Sequence, residues 1–377
     1  MPNWAERQPP GTFGDPPNFA TKKVPDSVVI FGATGHVGGP AAAHLAAVAP
    51  HIQLRLITSN AANTAALQRQ FPDAEVMVAN ILDLPATTRA MDGMEGAFVV
   101  TTSLVDAKRA MTNVVAAAYQ SGTLQHLVRF NSENSDIRSE GDLHPLVRDL
   151  YTDAKSNLHA RQVLELSDLP VTICNAAAWF MDNYIRFFGS GIREHRTLAT
   201  VRDTMVAFAD SRDLGEACVN VLLSDDIRNV GRVFNFDYGY DQMYQREVAE
   251  LMSKVLGEQI AYEGSPDAFV KLCATDIETV RREATAALGM EIPHELMVDY
   301  LVRYFDWECM IDKCMAKSGW MEYFLGRPAV TLAEWIDEHA DALLGRAPAT
   351  MSRRFPAPRP ARVHVREDGL SRRQRSA

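Results

Sequence analysis

Several features that assign a chain to a common class are missing from this sequence. Its 377 residues contain only five cysteines, widely scattered and without a Cys-x-x-Cys pair, which favours neither a disulfide framework nor a zinc site. No apolar run reaches the roughly 18 residues of a membrane span. The N-terminus has no basic-then-apolar signal pattern. We therefore expect a cytoplasmic protein without a metal site or a membrane partner.

The chain also has no overall excess of positive charge. Its net charge is −10 and its pI is about 5.5, whereas a general nucleic-acid binder presents a basic face. The positive charge is concentrated at one end, where nine arginines from Arg346 onward accompany only Glu367 and Asp368. The remainder carries about −17. We expect no nucleic-acid partner.

The hydrophobic pattern predicts an α/β fold. Residues 1–26 contain six prolines and few apolar residues, which predicts a disordered arm, and the arginine- and proline-rich residues 346–377 predict a disordered basic tail. Between them, short apolar runs alternate with helical patterns, which is typical of a doubly wound parallel sheet of the Rossmann type. The predicted strands are 28–32, 53–58, 75–79, 97–101, 126–131 and 171–174, and the predicted helices are 39–49, 61–70, 85–92, 106–121 and 154–167.

Beyond residue 174 the pattern changes. The segment 231–237 reads as another strand and 242–256 as an amphipathic helix, and 265–345 is mainly helical in pattern. Residues 176–190 are rich in aromatic and methionine side chains. The cluster from Trp179 to Phe188 is compatible with an apolar substrate pocket and equally with ordinary core.

Three glycines follow the first predicted strand in the spacing G-x-x-G-x-x-G. Glycine permits a tight turn there and lets backbone N–H groups approach a pyrophosphate at the start of the next helix. Because the motif lies between a strand and an alanine-rich helix of an alternating β/α chain, it predicts a dinucleotide site. The residues expected to bind are Gly32, Thr34, Gly35, His36, Val37 and Gly38.

The second strand indicates which dinucleotide is bound. An NAD site usually has a carboxylate after this strand to hold the ribose 2′-hydroxyl, but no acidic residue occurs between Asp26 and Asp73. Ser59 and Asn60 follow the strand instead and can accept a 2′-phosphate, which favours NADP(H) over NAD(H). Thr101 and Thr102 end the fourth strand and are expected to line the ribose and nicotinamide, as is the neighbouring Ser103.

These predictions divide the chain into two lobes and two tails. We expect an NAD(P)-binding Rossmann domain over residues 27–180, to which 205–237 return. A smaller, mainly helical substrate lobe comprises 181–204 and 238–345. The arm 1–26 and the tail 346–377 lie outside both.

The glycine motif, together with Leu164–Asn183, Asp210–Asp213 and Gly326–Leu332, resembles the NmrA-like family of atypical short-chain dehydrogenases/reductases. The likeness covers about 27–345. The chain departs from the family pattern at three places: Asn175-Ala176 replaces Arg-Pro after the sixth strand, Ser59 replaces a basic residue, and Asn80 replaces an acidic one. Asn80 can still hydrogen-bond adenine.

The resemblance also implies catalytic roles. Tyr151 and Lys155 are spaced to lie on one helix face, one turn apart. In the superfamily such a tyrosine donates a proton to the substrate oxygen, while the lysine lowers the pKa of the phenol and holds the nicotinamide ribose. Ser132, just past the fifth strand, stands where a hydroxyl binds the substrate carbonyl; Asn131 is the alternative.

Three functions are compatible with these residues. The first is an NAD(P)H-dependent reductase of a small, largely apolar carbonyl, enone or imine compound. The second is a catalytically silent NADP(H)-sensing regulator of the NmrA type, which would bind a protein partner. The third is a nucleotide-sugar epimerase, but the aromatic-rich segment is poorly suited to binding a sugar diphosphate. The intact Tyr151/Lys155 pair favours the reductase, because regulators of this group often lack the tyrosine.

Overall fold

A parallel sheet of seven strands forms the centre of the computed structural model, which describes residues 20–102, 105–132, 137–150, 153–176, 178–237, 239–240, 242–288, 290–308 and 318–346. The strands are β1 (Ser27–Phe31), β2 (Gln53–Thr58), β3 (Glu75–Val78), β4 (Gly96–Val99), β5 (His126–Asn131), β6 (Val171–Ala176) and β11 (Val233–Phe236). Their order is β11-β6-β5-β4-β1-β2-β3, with every neighbouring pair parallel. The predicted Rossmann sheet is confirmed.

Two helical layers cover this sheet. One contains α1 (Gly38–Val48), α2 (Thr64–Gln70) and α8 (Ser211–Leu223), and the other contains α3 (Leu84–Met91), α4 (Ala107–Ser121) and α5 (Asp153–Glu165). Alternate residues of β1 enter opposite cores, Val28 and Ile30 on the α1 side and Val29 and Phe31 on the α4 side. Burial on both faces explains why the strands read as continuous apolar runs.

The remaining elements form a mainly helical C-terminal region. Its strands pair in twos: β7 (Trp179–Phe180) with β10 (Phe208–Ala209), β8 (Thr197–Thr200) with β13 (Ala261–Gly264), and β9 (Met205–Val206) with β12 (Met243–Tyr244). Its helices are α6 (Asn183–Arg186), α7 (Gly189–His195), α9 (Gln245–Leu256), α10 (Pro266–Leu272), α11 (Ala274–Leu288), α12 (His294–Glu308), α13 (Trp320–Leu325), α14 (Leu332–Glu338) and α15 (Ala340–Leu343). None of the helices in the described ranges has the length and apolar content to cross a membrane.

The aromatic cluster after β6 packs as core. Trp179 is 2% exposed and Phe188 is fully buried, with their rings stacked at 5.7 Å. Phe305 of α12 lies 5.7 Å from Trp179 and 5.0 Å from Phe188, which joins the C-terminal helices to the segment after the sheet. Of the two interpretations of this cluster, ordinary core describes its most buried members.

Residues 20–26, which belong to the predicted arm, make polar contacts with the end of α8 and the residues after it. The Lys22 N–H donates to Asp225 O (2.7 Å) and its Nζ donates to Leu222 O (3.0 Å). Lys23 forms an ion pair with Glu95. These polar contacts, invisible to hydrophobic patterning, fix the segment beside α8. The rest of the predicted arm and the tail from residue 347 lie outside the described residues.

His126 makes the stability of this fold sensitive to acid. It is fully buried in β5 and hydrogen-bonds with Thr172 Oγ1 (2.8 Å). Burial, and secondarily the charge of Lys22, lower its pKa to about 3. Below pH 6.5 the unfolded chain therefore takes up a proton that the folded chain refuses. Above pH 6.5 this proton uptake is absent and the free energy of unfolding keeps its full value. As the pH falls from 6.5 towards 3, the free energy of unfolding decreases by up to about 1.4 kcal/mol per pH unit.

Between pH 6.5 and 4.5, we expect the free energy of unfolding to fall by about 2 kcal/mol less in His126→Gln than in the wild type. Urea unfolding at the two pH values measures this difference. The control is His51→Gln, since His51 is exposed. An unchanged pH dependence in His126→Gln would show that the imidazole is protonated in the folded chain.

Candidate functional site

The glycine motif forms a tight turn at the carboxyl end of β1. Gly32 has a φ of +86°, and a Cβ there would lie 2.7 Å from Val100 Cγ1 and 2.8 Å from Val100 O. Val100 follows β4, which neighbours β1 on one side while β2 neighbours it on the other. The turn thus lies where the strand order reverses, the usual ligand position in open α/β sheets.

The Gly32 carbonyl oxygen holds the turn closed. It accepts the Gly35 N–H at 2.9 Å. A Cβ on Gly38 would overlap this oxygen, so no larger residue fits at position 38. At Gly35 a Cβ would lie 3.3 Å from the same oxygen and, among the described residues, would meet no other atom within 4 Å. A side chain at position 35 would therefore project into open space in front of the turn.

The N-terminus of α1 has the features of an anion-binding site. Its first turn has no acidic residue and its N-cap, Val37, has no side-chain hydrogen bond. In the described part of the chain, the N–H groups of His36, Val37 and Gly38 donate no hydrogen bond. Pro40 has no N–H to satisfy. Free amides at the positive end of a helix fit a pyrophosphate.

α8 holds the start of α1 in place. A Cβ on Gly215 would lie 2.5 Å from Val37 O and 2.8 Å from Ala41 N, so the two helices meet with almost no space between them. The binding turn is thereby fixed by packing from a distant part of the chain.

The end of β2 is polar and without acidic groups. Ser59 and Asn60 are exposed there, and the Asn60 side-chain oxygen accepts the Ala62 N–H (2.9 Å). Arg55 lies away from this end, because its guanidinium donates to Glu75 (2.7 Å) and to Ala90 O (2.9 Å).

Asn80 follows β3 and is exposed. Its side-chain oxygen accepts the Leu82 N–H at 3.0 Å, which orients the amide at the same edge of the sheet as Ser59. Adenine binding by Asn80 stays a prediction.

On the other side of the turn, Thr101 is half-buried and Thr102 is exposed. Beneath them lies Arg129 of β5, which was not predicted as a site residue and which donates to Thr101 Oγ1 at 2.8 Å. The signal was available: an arginine stands inside the apolar run Leu127–Phe130, which a buried strand tolerates only if the guanidinium has partners. Ser103 lies outside the described residues.

Of the predicted catalytic residues, Lys155 and Ser132 are described by the structure and have different partners. Tyr151 lies outside the described residues. The Lys155 Nζ donates to Arg148 O (3.1 Å) and lies 3.5 Å from a Glu140 oxygen, so it faces the segment 137–150. Ser132 is half-buried at the end of β5, as expected. The α5 side chain that reaches it is Asn157, whose Nδ2 donates to Ser132 O (3.1 Å).

The C-terminal region adds a cation beside the glycine turn. Arg186 of α6 donates from Nη1 to His36 Nε2 at 3.0 Å, and His36 Nδ1 lies 3.5 Å from Asp182 Oδ2. These partners assign the proton of a neutral His36 to Nδ1. Burial raises the pKa of Asp182, but hydrogen bonds from His36 and Ser211 outweigh it and hold the pKa below its usual value. No sequence spacing links Arg186 to the turn.

Two substitutions separate binding from folding at this turn. We expect Gly35→Val to weaken NADPH binding at least a hundredfold with a melting temperature near that of the wild type, because its side chain enters the ligand space. Gly38→Ala should unfold at a clearly lower temperature, because its methyl group overlaps Gly32 O. NADPH fluorescence titration and thermal unfolding measure both effects. Equal affinity in Gly35→Val and the wild type would refute the site.

Three solved structures with a similar fold each contain a bound dinucleotide. The NADPH-dependent quinone oxidoreductase QOR2 of Escherichia coli, complexed with NADPH, is 22% identical with a TM-score of 0.63, covering 82% of this chain and 99% of that one. The Citrobacter triphenylmethane reductase complexed with NADP(H) is 17% identical with a TM-score of 0.62, covering 83% and 99%. NmrA, a negative transcriptional regulator in complex with NAD, is 13% identical with a TM-score of 0.63, covering 84% and 95%.

No curated protein matches this sequence. A family profile matches residues 25–317, which include the glycine turn, the whole parallel sheet and most of the C-terminal helices. The chain therefore belongs to the NmrA-like family.

Proposed function

We propose that this chain is an NADP(H)-dependent reductase of a small, largely apolar carbonyl, enone or imine compound. The observation that carries the proposal is the row of ligand groups along one edge of the sheet. The free amides of the glycine turn lie at its centre, Ser59 lies on the β2 side, and Thr101 and Ser132 lie on the β4 and β5 side. A dinucleotide seated across the turn would bring its nicotinamide half to the β4 and β5 side.

An apolar substrate is supported by two rings near the end of β5. Phe130 precedes Asn131 in that strand, and its ring lies 6.2 Å from the ring of Phe180, which remains partly exposed. The similar QOR2 and triphenylmethane reductase act, by their names, on a quinone and on triphenylmethane dyes.

In this proposal the bound cofactor would supply the hydride, and the chain would orient the substrate and supply the proton. Ser132 would orient the substrate oxygen and Tyr151 would donate the proton. Lys155 contacts Arg148 O, three residues before Tyr151, and so ties α5 to the segment that leads into the tyrosine.

A second function, the NADP(H) sensor, is favoured by one observation. The ammonium of Lys155 is held by Glu140 and Arg148 O, while the α5 side chain in contact with Ser132 is the amide of Asn157, which cannot act as a proton donor at neutral pH. A protein without a working proton donor would bind NADP(H) and report it to a protein partner. Such a protein would show no turnover with any acceptor.

Cofactor preference tests the β2 side of the site. We expect NADPH to bind about tenfold more tightly than NADH, since a hydroxyl and an amide replace the usual carboxylate. Ser59→Asp should reverse the preference, because a carboxylate repels the 2′-phosphate and accepts the 2′-hydroxyl. The matched control is Gln53→Asp, which adds the same charge at the opposite end of β2. Tighter binding of NADH by the wild type would overturn this assignment.

Turnover tests the reductase proposal itself. NADPH oxidation is followed by absorbance with a panel of quinones, enones, aldehydes and cyclic imines. Once an acceptor is found, Tyr151→Phe should lower kcat by about 10²–10⁴-fold with little change in NADPH affinity. Lys155→Met should lower both.

The control for this series is Tyr119→Phe, since Tyr119 lies on the exposed surface of α4. Full activity in Tyr151→Phe would exclude the tyrosine as the proton donor. No oxidation with the whole panel, with a partner interaction that responds to the NADP⁺/NADPH ratio, would replace the reductase by the sensor.

A further inference from the structure

A charged side chain lies inside the sheet at the ligand edge. Arg129 points from β5 towards the α4 and α5 layer, on the same face as Leu127, and is fully buried. A buried charge requires hydrogen-bond partners, because removing it from water costs several kcal/mol. The positions of those partners show which parts of the chain the guanidinium connects.

Three of its partners are neutral oxygens from two different elements. Nη1 donates to Val99 O at 3.1 Å, and Nη2 donates to Thr101 Oγ1 at 2.8 Å. Nη2 also lies 3.5 Å from Asn157 Oδ1 on α5. The guanidinium therefore connects the end of β4 to α5 directly below the edge where Thr101 lies.

A guanidinium only donates hydrogen bonds, and this fixes the direction of its partners. The Thr101 oxygen accepts from Arg129, so the hydroxyl hydrogen points elsewhere and can donate to a ligand oxygen. Donation from a cation also polarises the hydroxyl and makes it a stronger donor. Thr101 is half-buried at the strand end, where such a ligand would lie.

The same rule orients Asn157. Its Oδ1 faces the guanidinium, so its Nδ2 is left to donate, and it does so to Ser132 O at 3.1 Å. Thr101, Asn157 and Ser132 are thus held in one chain of directed hydrogen bonds that starts at Arg129.

We propose that Arg129 is a positioning residue for the nicotinamide half of the cofactor, acting through the Thr101 hydroxyl as a directed donor to a ribose or carboxamide oxygen. The inference rests on the dinucleotide binding contained in the proposed function and is independent of the reductase reaction. The adenosine half would lie on the β2 side of the turn, beyond the reach of Arg129.

Binding measurements with two ligands test this. NADPH and 2′,5′-ADP, which lacks the nicotinamide half, are titrated calorimetrically into the full chain. Thr101→Val should weaken NADPH binding about tenfold and Thr101→Ser should not, while neither changes 2′,5′-ADP binding. Arg129→Lys should give a similar selective loss. The double variant Arg129→Lys/Thr101→Val should bind NADPH no more than about twofold more weakly than Thr101→Val alone.

Asn157→Asp is a second probe that keeps the arginine. The new carboxylate would draw the guanidinium away from Thr101 and weaken NADPH binding without affecting 2′,5′-ADP, so the test survives if Arg129→Lys does not fold. Losses that multiply in the double variant, or that appear equally with 2′,5′-ADP, would overturn the proposal, as would unchanged NADPH binding in Thr101→Val and Asn157→Asp. Absence of turnover with every acceptor would remove the reductase proposal and leave this binding pattern unaffected.

Discussion

The geometry of the candidate ligand site depends on close packing around the carbonyl oxygen of Gly32. It accepts the Gly35 N–H and occupies the space where a side chain on residue 38 would begin. The chain therefore reverses within a few residues, and the first amides of α1 are brought to the carboxyl edge of the sheet, where they donate no hydrogen bond to any described residue. Gly215 of α8 then fixes the start of α1 by close helix contact. Packing around Gly32 and Gly215 thus positions backbone amides that can bind an anion.

Electrostatics complement this geometry. The end of β2 and the N-terminus of α1 are free of acidic side chains, although the chain as a whole is acidic. Two arginines flank the turn, Arg186 through His36 and Arg129 beneath Thr101. Arg186 is also paired with Glu283 at 3.1 Å, and Asp182 lies 3.5 Å from His36, so carboxylates partly compensate the positive charge beside the turn.

The sheet and the turn were predictable because each rests on a local pattern. Strands buried on both faces read as apolar runs, and the glycine spacing is set by the turn itself. The short strands β7, β8, β9 and β10 were not predicted, because a segment of two to four residues is too short to show a hydrophobic period. The contacts of Lys22 with Leu222 and Asp225 are polar, and hydrophobic patterning does not register them.

The side chains around the site were harder to predict. The spacing of Tyr151 and Lys155 places both on one helix face but does not say what that face contacts. In the structure Lys155 faces Glu140 and Arg148, while Asn157 faces the strand ends. Arg186 reaches the glycine turn from α6 without any sequence spacing that links the two. The sequence signals Arg129 only as an arginine within an apolar strand, and the tertiary fold shows that it contacts Thr101.

The central claim is that a dinucleotide is seated on the glycine turn with its nicotinamide half above β4 and β5. A crystal structure of the chain grown with NADPH tests it most directly. The account predicts pyrophosphate oxygens within hydrogen-bond distance of the His36 to Gly38 amides and the nicotinamide ribose or carboxamide beside Thr101. Density for NADPH elsewhere on the chain, or in the reverse orientation with the adenine beside Thr101, would contradict it.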